Sequence, residues 1–171
     1  METLEFNFFE PITQDLLNLF VRSLNNVPSN QPIRLQMASQ GGDVVIAVQM
    51  YHFLKRFQNL TIEAVGNVDS AAIIVFLAGN HRTAAEHTTF LLHSLTQDYP
   101  SAVSLRMSDL KNIEKILNRR IEQYCAIFNE RTASANSAID IWSIACGYME
   151  SPLTTAEAFA AGILTTRSNK S

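Results

Sequence analysis

The sequence predicts an α/β fold, a mostly parallel sheet flanked by helices. Apolar residues recur at period two in short runs at 3–8, 33–38, 60–65 and 88–92, which marks strands. Between these runs the apolar spacing lengthens to the helical 3.6, and Gly, Asn and Pro cluster where the period changes. Strand and helix in alternation favour parallel strands joined by right-handed crossovers.

The first strand is carried by Leu4, Phe6 and Phe8 between polar neighbours. Pro11 can open a helix, because its missing N–H is not needed in the first turn, and Ile12, Leu16, Leu19, Phe20 and Leu24 follow at helical spacing. Residues 25–31, with Pro28 and three Asn, predict a turn, and Ile33, Leu35 and Met37 the second strand. Ser39-Gln40-Gly41-Gly42 is the tightest turn signal. After it, Val44, Val45, Val48, Tyr51, Leu54 and Phe57 make a helical apolar face. Ile62 and Ala64 lie on one side of a third strand, Gly66 to Asp69 read as a turn, and Ser70 begins an apolar helix that Gly79 should end. Thr88 to Leu92 is a strand with His93 at its far end. The rest predicts helices: a long one at 108–130 with Leu110, Ile113, Leu117, Ile121, Tyr124 and Phe128 on one stripe, and a shorter one at 137–148. Thr154 and Glu157 then stand at capping-box spacing, with Gly162 as a stop.

A chain of 171 residues predicts a single domain, residues 1–171, able to bury a core without a disulfide or metal. The net charge of -3 and the lack of a Lys/Arg cluster argue against a nucleic-acid partner. Arg119 and Arg120 form an adjacent basic pair, and with Glu114 and Glu122 they read as a solvated helix face. Cys125 and Cys146 sit in apolar helical stretches as buried thiols, with no spacing that suits a metal, and no cofactor motif is present. The amino terminus lacks a basic start before an apolar run, and no apolar run reaches the ~18 residues of a membrane span. A cytoplasmic protein without a membrane partner is the expectation.

Parallel α/β sheets bind ligands beyond the carboxyl ends of their strands. Three predicted turns fall there: the one holding Gly41 and Gly42, the one before Ser70, and the one after His93. Acyl transfer by serine needs an exposed hydroxyl, a base, a group to orient the base, and N–H donors for the oxyanion. Ser70, where a strand turns into a helix, is a candidate nucleophile, or else a plain N-cap. His93 is a candidate base, or a satisfied core histidine. Gly41 and Gly42 allow backbone that side chains forbid and could turn amides into a cleft, or could simply make a tight turn.

Taken in order, these segments resemble the Clp protease proteolytic subunit. Ser39-Gln40-Gly41-Gly42 resembles its Ser-Pro-Gly-Gly turn, and Gly66-Asn67-Val68-Asp69-Ser70-Ala71-Ala72 its nucleophile turn. Ala78-Gly79 with Arg82 resembles the family's Ala-Gly segment and basic residue, and Phe90-Leu91-Leu92-His93 its histidine strand. Leu153-Thr154-Thr155-Ala156-Glu157-Ala158 with Gly162-Ile163-Leu164 is similar to its carboxyl-terminal pattern, so the likeness runs over about residues 3–165.

The resemblance implies a crotonase-like fold in which the long helix forms a handle, and a serine-type endopeptidase. It implies Ser70 as nucleophile, His93 as base, and backbone amides of Gly41, Gly42 and Ala71 as the oxyanion hole. The family's triad aspartate corresponds here to Glu150, three residues before Leu153. It also implies peptide or unfolded-protein substrates and a homo-oligomer of heptameric rings around a chamber. The chain starts almost at its first strand. The family's N-terminal segment, which meets an ATPase ring, is therefore expected to be absent or much shortened, which bears against an ATPase unfoldase as partner. Three departures stand out: Gln40 replaces a proline, Asp69 replaces a small residue and reads as local or surface charge, and Ser94 to Ser104 lacks a glycine pair. A catalytically weak assembly subunit and acyl-CoA chemistry on the same fold are the alternatives.

Overall fold

A computed structural model of the chain describes residues 2–96, 104–133, 135 and 139–166. The elements run β1 (Leu4–Phe8), α1 (Gln14–Leu24), β2 (Ile33–Ser39), α2 (Val44–Leu54), β3 (Leu60–Asp69), α3 (Ala71–Phe76), β4 (His81–Ala84), β5 (Thr89–Leu92), α4 (Met107–Thr132), α5 (Ile141–Ala145), β6 (Ser151–Thr154) and α6 (Thr155–Ala160). The sheet order is β1-β2-β3-β5-β6, with β4 also on β3. All pairs are parallel except β5 with β6. The expected α/β fold is present, a mostly parallel sheet with helices and one long helix.

β3 organises the molecule. Its first half pairs with β4 (Thr61 with His81 through Ala64 with Ala84), and its end pairs with β5 at Val68 with Phe90 and Asp69 with Leu91. Gly66 to Asp69, expected as a turn, continues the strand. The β2 register jumps from Met37 with Ala64 to Ser39 with Val68, so β3 takes up extra residues where Gly66 passes close to Ala38. Such a bulge bends its strand, here just ahead of Ser70. α3 follows at once, and all six of its residues are buried.

Several boundaries differ from the sequence expectation. α1 starts after Thr13, whose hydroxyl accepts from the Leu16 amide. Ile12 is not helical: its N–H donates to Gly41 O and its carbonyl accepts from Asp43 N–H. Leu19 faces outward at 59% exposure, leaving Leu16, Leu17, Phe20 and Leu24 as the buried stripe. Of the 137–148 helix, residues 137–138 lie outside the described residues and the rest contracts to α5. β4 and β6 were not foreseen. The Thr154–Glu157 capping box forms as expected, opening α6. Cys125 is buried, and that burial pushes its thiol up to about 11, while Cys146 is half-buried. No described helix is long and apolar enough to cross a membrane.

Within β4, Arg82 is buried without a carboxylate partner among the described residues. Its Nε donates to Ile163 O (2.7 Å), Nη1 to Gly79 O (3.0 Å), and Nη2 to Arg131 O (3.0 Å) and Gly162 O (2.9 Å). These carbonyls sit at or just past the ends of α3, α4 and α6, where the helix dipole leaves partial negative charge. Burial, then repulsion from Arg131, lowers the Arg82 pKa to about 10, which keeps it cationic at neutral pH. Arg131 adds bonds to Leu77 O and Gly79 O.

Candidate active site

Three loops meet at the carboxyl edge of the sheet: Gln40–Asp43 after β2, Ser70 after β3, and His93 after β5. Ser70 has φ 57 and ψ −129, and with His87 it is one of two non-glycine residues with positive φ among the described residues. A serine held there stores about 1–3 kcal/mol of backbone strain. Its amide is tied to Leu91 O at 2.8 Å, two residues before His93. Its hydroxyl makes no capping bond to α3, so the N-cap reading of this serine is not the one realised.

The glycine turn is packed onto this serine. Gly41 has φ +94, and a Cβ there would lie 2.7 Å from Ser70 Cβ and 2.8 Å from Asp69 O. Gly42, at φ +145, passes so close to Ile12 that a Cβ would meet its carbonyl oxygen at 2.5 Å. Ser39 braces the turn: its Oγ donates to Glu10 O (2.7 Å) and accepts from Gly41 N–H (3.2 Å). The Gly41 amide is thus engaged, whereas those of Gly42 and Ala71 make no hydrogen bond among the described residues. Gly41→Ala should lower the unfolding free energy by ~2–4 kcal/mol, from positive-φ strain and displaced neighbours. Urea denaturation checks this; an unchanged midpoint would show that the turn tolerates a side chain.

His93 is half-buried, with Nδ1 2.8 Å from Ser94 O. A carbonyl only accepts, so Nδ1 carries the proton and Nε2 is left as an acceptor, the tautomer a general base requires. Glu150 stands one residue before β6. Continuing the β5–β6 register, in which Leu92 faces Ser151, puts Glu150 across from His93. Its side chain is exposed, and no ion pair joins the two groups among the described residues. The carboxylate in the field of His93 is Asp69. Burial raises the Asp69 pKa, and the Leu91 amide and then His93 partly offset that rise.

The bracing roles of Ser39, Ser94 and the Leu91 carbonyl have no sequence signal, because each works through a hydrogen bond that engages a main-chain group, which no spacing rule reveals. Among the described residues no group of His, Cys, Asp and Glu could hold a metal ion. The sequence profile of the Clp protease family matches residues 5–165, which spans all three loops and nearly the whole chain. The chain belongs to the Clp protease family. Membership places this Clp protease relative among the peptidases at the level of family, and agrees with its parallel sheet, its buried α3 and the length of α4. No curated protein sequence matches the chain.

Proposed function

We propose that this Clp protease family member is a serine endopeptidase with Ser70 as nucleophile, His93 as base and Glu150 as the acid of the triad. The observation that carries the reading is the strained Ser70 backbone at a strand-to-helix junction, with Gly41 against its Cβ and its amide tied to the strand that ends in His93. Ser70 Oγ attacks the scissile carbonyl while His93 Nε2 takes its proton. The oxyanion meets amides of Gly42 and Ala71, and that of Gly41 once it leaves Ser39. The C–N bond breaks as His93 returns the proton to the departing amine, and water then hydrolyses the acyl ester by the same route.

The substrates are peptides or unfolded proteins, and the protomers form rings around a chamber. In support of assembly, the first turns of α4 expose apolar side chains: Met107, Leu110 and Ile116 are 69%, 47% and 48% exposed, while Tyr124 and Phe128 further along are buried. A fluorophosphonate probe tests the chemistry. Adduct on Ser70, absent in Ser70→Ala, is expected; a folded, assembled protein that never labels would overturn the reading.

A second reading, a catalytically weak assembly subunit, draws on the Gly41 amide held by Ser39 and on the exposed Glu150. Glu150→Gln separates them. A triad acid replaced by its amide costs on the order of 10²-fold or more in kcat, so unchanged turnover would remove Glu150 from the mechanism.

A further inference from the structure

A groove of about 380 Å³ runs beside the proposed nucleophile, lined by Phe9, Glu10, Pro11, Gln40, Asn67 and Asp69 among others. Two of these residues are the immediate predecessors of the two that touch at the site: Gln40 precedes Gly41, and Asp69 precedes Ser70. An extended peptide advances about 3.4 Å per residue. A substrate with its scissile carbonyl at Ser70 therefore carries a neighbouring side chain within reach of the groove.

The lining is chemically lopsided. Phe9 offers a ring that is 59% exposed, and Pro11 adds an apolar wall. Glu10 and Asp69 supply carboxylates, Gln40 and Asn67 neutral amides, and among the described residues no Lys, Arg or His lines the groove. Neither carboxylate has an ion-pair partner among the described residues. Asp69 is half-buried, and its first cost is loss of water. A cation placed beside it would lower its pKa again. A long apolar stem ending in a cation matches this set, the stem along Phe9 and Pro11 and the charge between the carboxylates, with the ring face adding attraction.

We propose that this groove is a specificity subsite for a basic side chain, lysine or arginine, next to the scissile bond, with Asp69 as its counter-charge. The inference rests on the peptidase reading and names its substrate class: peptides basic near the cleavage point.

Binding to the full-length Ser70→Ala protein tests it without turnover. Fluorescein-labelled peptides that differ at one position, carrying lysine, Nε-acetyl-lysine or glutamate stepped through the central positions, are compared by anisotropy at low salt. At one position lysine should bind about fivefold tighter than acetyl-lysine, as a partly exposed ion pair allows. Asp69→Asn should level the two, and Asp69→Lys should favour glutamate. The lysine and acetyl-lysine comparison changes only the ligand, so it stands even where an Asp69 variant fails to fold. Equal affinities at every position overturn the subsite, as does failure of all the peptides to bind. Labelling of Ser70 in the unaltered protein decides the peptidase reading separately.

Discussion

Replacing Ser70 with glycine is expected to silence hydrolysis and, at the same time, to raise the unfolding free energy by ~1 kcal/mol. The two effects have separate origins. Loss of the nucleophile costs on the order of 10⁴–10⁶ in kcat. The gain comes from φ 57, ψ −129, a conformation that penalises any Cβ. Relief of about 1–3 kcal/mol of strain is offset in part by the greater freedom of glycine in the unfolded chain. Ser70→Ala keeps the Cβ, so it should lose turnover with no gain in stability. Peptide hydrolysis and urea midpoints on the pair distinguish the cases. Equal midpoints would mean that the junction stores no strain at this residue.

Arg82→Met should destabilise the protein by ~3–5 kcal/mol, the largest stability effect expected of any single change here. The apolar stem preserves most of the packing, but four carbonyls at three helix ends lose a charged donor at once, at a residue only 4% exposed. That loss is a large share of the ~5–15 kcal/mol typical of a whole domain. Arg82→Lys should recover less than half of it, because an ammonium cannot present the planar fork that spans Gly79, Gly162 and Ile163. Equilibrium denaturation of both variants is the check; a loss under ~1 kcal/mol for the methionine variant would show that the carbonyls find other donors.

The legible parts of the fold were those in which local pattern and tertiary need agree. Ile33, Leu35 and Met37 alternate, and all three are buried. Thr154 and Glu157 close their capping box within one helical turn. β4 and β6 escaped because four residues carry too little period, and Pro152 argues against a strand unless it lies at a sheet edge, where β6 is. Gly66 and Asn67 look like turn residues, yet pairing of Val68 and Asp69 with their neighbours holds them in β3. At the site, the order of Gly41, Ser70 and His93 was legible because each sits at the end of a recognisable strand. The surroundings of Asp69 were not: its burial and its field from His93 arise from β3 and β5 lying side by side, which no local window contains.

β5 belongs to two unequal partnerships. It is paired with β3 only at Phe90 and Leu91, with one side-chain bond from Thr89 to Asn67 beside them, but it runs alongside β6 from Thr89 to Leu92. The seam with the fewest paired residues in the sheet therefore passes between the hydroxyl and the imidazole. A slip along it would carry β6, and the carboxylate just ahead of it, away together with the histidine. Parting that join would also draw Phe90 and Leu92 out of the hydrophobic core, where Phe90 packs on Phe76 of α3, so packing below the sheet guards the short pairing above it.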